Sequence, residues 1–189
     1  YQPGNTSFPE LMWLRGMTPA SLTFVNKLSE DCTSFQCSHP LHQLPFVIPP
    51  NGSVGSDGGG GKHSKDPRLR RCVWSVVVLD CDFNVIFWAG GLLPGKQTVP
   101  RAELYGAKLA HLLTSGQADH FIDAYNVVRG ICQGKHKLHC SNTLLWAEFW
   151  ETKALGRSQL HPIWTPSHKD PTEIESLGVS PVAWVTNHC

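Results

Sequence analysis

The sequence predicts an α/β domain, and three observations carry that reading. Val73-Trp74-Ser75-Val76-Val77-Val78-Leu79 and Val85-Ile86-Phe87-Trp88-Ala89-Gly90 are β-branched and aromatic runs. The turn Asp80-Cys81-Asp82-Phe83-Asn84 separates them, as in a hairpin. Thr98-Val99-Pro100 opens a helix, because proline fits a first turn where its missing N–H costs nothing. Beyond that helix, short apolar runs alternate with helical patterns, and the whole order reads β-β-β-α-β-α-α-β.

Residues 1–50 carry few periodic signals. Leu11 to Gly16 is a short apolar patch, and Thr18 to Val25 could open a short helix. The segment then turns rich in Ser, Cys, His and Pro and is expected to be a partly ordered linker. Pro49-Pro50-Asn51-Gly52 breaks the chain, and the domain is placed at 51–189. A short strand is expected from Ser53 to Asp57, polar for a central one. Glycines follow it at once, and they allow close backbone approach to a substrate. Lys62, Lys65, Arg68, Arg70 and Arg71 then form a basic run, offset by Asp66, that could meet phosphates.

After the hairpin, Gly95 marks the loop into the helix at 98. That helix is expected to run to about Ser115, with Gly116 as a left-handed C-terminal cap. Glu103, Gly106, Ala107, Ala110 and Leu113 share one of its faces, which would lie tight against a sheet. Glu103 is a lone carboxylate on that otherwise small, apolar stripe. A strand is expected at 120–123. Tyr125 to Gln133 reads as a helix with Val127, Val128 and Ile131 inward. A basic loop follows, then a helix capped by Ser141 or Asn142, with Leu145, Trp146, Phe149 and Trp150 as its apolar stripe and Gly156 at its end. Leu160 to Thr165 is the last strand.

At 189 residues the chain suits one domain plus a flanking segment. The net charge of +1 means that any basic surface must be local. Seven cysteines without a disulfide pattern read as reduced thiols of an intracellular protein, cytoplasmic or nuclear. There is no run of about eighteen apolar residues, so no membrane span is expected. The start at Tyr1, without a leader, reads as a piece of a longer polypeptide. Two Cys/His groups raise the question of zinc: Cys32, Cys37, His39 and His42, and Cys132, His136, His139 and Cys140. Neither has the spacing of a common structural site, so zinc is not expected to be needed for folding.

Asp57 before a glycine run, Glu103 in a helix start (Arg101-Ala102-Glu103-Leu104), Asp123 at a strand end and His168 in a loop after a strand form an ordered set. Over residues 50–189 this set resembles the ribonuclease H family. The resemblance implies a five-stranded mixed sheet, an antiparallel hairpin meander plus parallel strands, with helices on both faces. It also implies hydrolysis of the RNA strand of RNA–DNA hybrids with two Mg²⁺ ions, or Mn²⁺ in their place. Such chemistry needs hard oxygen ligands held close together, so that charge on the attacking and leaving oxygens is stabilised at once. Asp57 would bridge both metals, Glu103 and Asp123 would hold one metal and position the water and the scissile phosphate, and His168 would assist turnover and product release. Gly58, Gly59, Lys62, Arg70, Gln97, Thr98 and Asn126 are the expected nucleic-acid contacts.

Two departures stand out. The family usually has a fourth carboxylate and a last helix, and Ala183 to Cys189 looks like the lead-in to them, so both are expected beyond Cys189. Asparagines that touch RNA in the family are replaced by Val99 and Pro100. The N-terminal segment resembles the connecting tail before such a domain in retroelement reverse-transcriptase polyproteins. The leading reading is therefore a hybrid-cleaving nuclease from such a polyprotein. The alternatives are a ribonuclease H-like module that binds or supports without cleaving, and an unrelated zinc-binding interaction protein.

Overall fold

A computed structural model describes residues 35–66, 69–134 and 141–166. The hairpin forms where the apolar runs place it. Strand β4 (Val73–Leu79) pairs antiparallel with β5 (Val85–Leu92), Val76 opposite Ala89 and Val78 opposite Phe87. Asp80 closes the turn: its Oδ1 accepts the backbone N–H groups of Asp82 and Asn84 at 2.9 Å each. This is the local pairing that makes Asp a turn residue.

Strand β3 (Ser53–Gly59) is central. It runs antiparallel to β4 and parallel to β6 (Thr114–Ile122), whose other edge carries the parallel β7 (Ser158–Trp164). Its polar sequence survives burial because the residues are small and the hydroxyl of Ser56 meets His120 Nε2 at 2.8 Å. Two further strands lie in the segment read as linker. β1 (Phe35–Cys37) pairs with β5, and β2 (Phe46–Val47) pairs with the start of β6. The sheet thus has seven strands rather than the five expected.

Helix α1 (Val99–Leu113) packs its predicted face on the sheet. Glu103, Gly106, Ala107, Ala110 and Leu113 are all buried. The helix ends earlier than expected, and no loop follows it. Thr114 is both its C-cap and the first residue of β6, and its hydroxyl donates to the Ala110 carbonyl at 2.7 Å. Gly116 is not the helix cap. It sits inside β6 with φ +108, where the strand's partner changes: Ile48 N–H binds Ser115 O, and Gly116 N–H binds Arg157 O. Only glycine takes such a φ without strain.

Helices α2 (Tyr125–Gln133) and α3 (Thr143–Ala154) pack against α1 on the same side of the sheet. Val127, Val128, Ile131, Leu145, Trp146 and Phe149 bury themselves with Leu104, Ala107 and Ile122. A second apolar layer, including Val54, Val76, Val78, Phe87, Leu109 and Leu160, lies between α1 and the sheet. Each fully buried side chain of this size contributes about 1.5–3 kcal/mol. Gly130 admits the Trp146 ring, since a Cβ there would lie 2.4 Å from Cη2. Among the described residues, no helix is long and apolar enough to cross a membrane.

Candidate metal centre

Three backbone facts bring the carboxylates together. β3 and β6 are parallel neighbours with Ser56 opposite Ile122, so Asp57 and Asp123 follow adjacent positions at one level of the sheet. Helix α1 starts directly over that level, because Gly58 has no side chain. A Cβ on Gly58 would stand 2.3 Å from Glu103 N and 2.6 Å from the carbonyl carbon of Ala102. One turn on, Gly106 has the same role: its Cβ would stand 3.1 Å from Asp57 O. As a result, one oxygen each of Asp57, Glu103 and Asp123 lies within 4.8 Å of the others.

Burial and like charge set the electrostatics of the cluster. Glu103 is 7% exposed, and its Oε2 is buried with no hydrogen-bond partner among the described residues. Burial, then the charges of Asp123 and Asp57, push its carboxyl up from 4.5 to about 9, against the pull of the Gly58 N–H. Asp57 is exposed and accepts the Gly58 N–H on Oδ1 at 2.7 Å. Three hard oxygen donors at this spacing, one of them buried and unpartnered, fit a divalent cation such as Mg²⁺. Among the described residues this is the one group of three or more His, Cys, Asp or Glu side chains so placed.

Beside the carboxylates lies a cleft of about 540 Å³, walled in part by Val99, Pro100, Leu104, Tyr125, Asn126 and Trp146. The end of β7 is tied to the chain that carries Asp123. Trp164 Nε1–H donates to the Asp123 carbonyl at 2.9 Å, and Thr165 N–H to the Ile122 carbonyl at 3.0 Å.

The other sequence candidates fall in different places. Gly58 and Gly59 both lie against protein atoms: Gly58 admits helix α1, and a Cβ on Gly59 would lie 3.2 Å from Val73 Cγ2. Gln97 is spent on the loop before α1. Its Oε1 accepts the Cys72 N–H at 2.7 Å, and its Nε2 donates to the carbonyls of Leu93 and Gly95 at 2.7 and 2.9 Å. Both of its amide N–H groups are thereby used within the protein. Thr98 is the N-cap of α1, without a side-chain cap bond. Asn126 is exposed in the first turn of α2 and lines the cleft. Lys62 is exposed, while Arg70 Nε donates to the Ser64 carbonyl at 2.6 Å. His168 and Arg68 lie outside the described residues, as do Cys32, His136, His139 and Cys140. His39, of the first Cys/His group, packs its ring on Phe46 and Phe87.

Sequence reasoning passed over a buried pair of histidines. His120 bonds Ser56, and His111 Nδ1 meets the Ser158 hydroxyl at 3.0 Å, with the two ring centroids 6.3 Å apart. Nothing in their sequence neighbourhood marks them as internal. Trp164 could have been suspected from its place at a strand end.

This architecture defines an α/β domain whose central strand, helix start and neighbouring strand end converge on one acidic site. No protein-family model matches the sequence, and no curated protein does. Solved structures do match. LC9-RNase H1, a type 1 RNase H with the type 2 active-site motif, aligns with TM-score 0.51 and 16% identity over 69% of this chain and 70% of its own. LC11-RNase H1 in complex with an RNA/DNA hybrid aligns at 0.48 and 16%, over 65% and 90%. The foamy viral protease-reverse transcriptase aligns at 0.46 and 12%, over 80% of this chain and 21% of its own. At these identities the likeness is one of fold. The chain has the ribonuclease H-like fold.

Proposed function

We propose that this chain is a metal-dependent endoribonuclease that cuts the RNA strand of RNA–DNA hybrids. The observation that carries the proposal is the convergence of Asp57, Glu103 and Asp123 within 4.8 Å, with a buried Glu103 oxygen left unpartnered. A carboxyl at about 9 holds its proton near neutrality, so like charges do not crowd the empty cluster. Asp57, Glu103 and Asp123 would hold a divalent cation, with Glu103 giving up its proton to become a ligand. Bound Mg²⁺ or Mn²⁺ ions, two in the full reaction, supply stabilisation of charge on the attacking and leaving oxygens. The chain's own part is to hold its ligands rigidly: β3 and β6 are fixed by pairing, and α1 by the Gly58 contact. Trp164 holds the Asp123 carbonyl, so the strand end is fixed as well. His168 is proposed to help release product. The domain is proposed to work inside the cell as part of a retroelement reverse-transcriptase polyprotein.

The test is cleavage of a hybrid labelled in either strand, with Mg²⁺ or Mn²⁺ and with EDTA. The wild type should cut the RNA strand only with metal, and Asp57→Asn should lower the rate by roughly two orders of magnitude or more. The 189-residue chain is expected to cut weakly, and a form extended past Cys189 that binds hybrid but never cuts overturns the nuclease reading and leaves a binding module.

A further inference from the structure

Tyr125 and Trp164 are large aromatics left 56% and 48% exposed, and both adjoin the carboxylates. Tyr125 follows Asp123 by two residues and lines the cleft. Trp164 is tied to Asp123 through its indole N–H. Their rings meet at 80° with centroids 5.8 Å apart, a mutually supporting edge-to-face pair. Among the described residues neither ring has a Lys or Arg over its face, although Tyr105 and Trp150 do. The aromatic surface is thus rigid, open and beside the proposed chemistry.

We propose that Tyr125 and Trp164 form an aromatic shelf on which the sugar of the nucleotide flanking the cleaved phosphate packs. The proposal rests on the hybrid-nuclease reading. The perpendicular rings touch each other, so no base can be sandwiched between them. In a duplex the base faces are already taken by stacking, and what a groove offers is sugars and base edges. Val99 and Pro100 give the cleft an apolar wall, while Asn126, Ser141 and Asn142 add polar groups to its lining. Packing on the two rings is the grip that the shelf adds to these polar groups.

Binding of a fluorescent RNA–DNA hybrid to the full 189-residue chain, measured by anisotropy in EDTA across a range of salt, tests this. Tyr125→Ala should weaken binding by roughly 2- to 10-fold, the range of a single aromatic packing contact. The slope of log Kd against log salt should stay unchanged, because no phosphate charge is involved. Tyr125→Phe should restore binding. Tyr125→Ala binding as tightly as wild type, while wild type cuts hybrid with Mg²⁺, overturns the shelf and leaves the nuclease reading. A loss larger for single-stranded RNA than for hybrid overturns sugar packing in favour of base stacking. Tyr125-dependent binding without any metal-dependent cleavage sustains the shelf and overturns the nuclease. A wild type that binds no hybrid overturns both.

Discussion

Replacing Glu103 with glutamine should make the metal-free protein more stable while removing its response to metal. The folded state holds the Glu103 carboxyl at about 9, and the ordinary value is 4.5. Below pH 4.5 both folded and unfolded chains carry the proton, and the residue has no effect on stability. As the pH rises toward 9 the unfolded chain releases its proton and the folded chain does not, so stability is lost steadily. At pH 7 this loss is about 3 kcal/mol. A glutamine has no charge to bury, and its amide can donate to Asp57 or Asp123. Glu103→Gln in EDTA at pH 7 should therefore melt roughly 6–12 °C above wild type, given about 2–4 °C per kcal/mol for a chain of this size. Near pH 4 the two should coincide. Adding Mg²⁺ at a hundred times its Kd should raise the wild type by about 2.7 kcal/mol and the variant by far less. Thermal melts from pH 4 to 8.5, with and without metal, provide the test. A variant less stable than wild type at pH 7 in EDTA, or one gaining as much from Mg²⁺, would refute the assignment of Glu103 to a buried, unpaired ligand position.

Gly58→Ala should cost about 3 kcal/mol or more, since its Cβ would overlap the Glu103 backbone and that backbone is held by the rest of α1; urea unfolding within about 1 kcal/mol of wild type would show that α1 does not bear on β3. The histidine pair should oppose the Glu103 trend in acid. Burial first, and then Lys153, lowers His111 from 6.5 to about 4; burial, then His111 and Lys153, lowers His120 to about 3. Below pH 6.5 the unfolded chain takes up protons that the folded chain refuses, so stability falls as pH falls, by about 2 kcal/mol for each histidine at pH 5. The Glu103→Gln variant isolates this slope: its melting temperature should drop between pH 6.5 and 4.5, and a flat profile would refute the burial of uncharged imidazoles.

Much of the fold was legible because its signals are local. The β-branched runs of β4 and β5 and the small stripe of α1 announce themselves within one element, and the structure keeps both. β6 was read too short, because Thr114 to Asp119 alternates weakly and the helical pattern of α1 runs straight into it. β1 and β2 are three and two residues long and exist only through pairing with β5 and β6, which no local pattern reveals. The carboxylates were legible as a set because strand ends and a helix start are where such residues meet. The packing role of Gly58 is not legible, for the opposite reason. A missing side chain after Asp57 looks the same in sequence whether substrate or a helix fills the space, and here helix α1 fills it. Gln97 shows the same limit, since its partner Cys72 is 25 residues away.

The passage from α1 to β6 without an intervening residue bears on how this chain can vary. Glu103 and Asp123 lie near the two ends of one uninterrupted helix–strand unit, Val99–Ile122, with no slack between them. A residue inserted into the helix would rotate everything before it by about 100°, from 3.6 residues per turn, and one inserted into the strand would send alternate side chains to the wrong face. Either would carry a carboxylate away from its partners. The connection from Gly60 to Cys72 holds no strand or helix among its described residues, and only Asp57 and Gly58 depend on what precedes it. Length changes among relatives, and tags or reporter insertions made at the bench, should therefore gather in the 60–72 loop and avoid the stretch from 99 to 123.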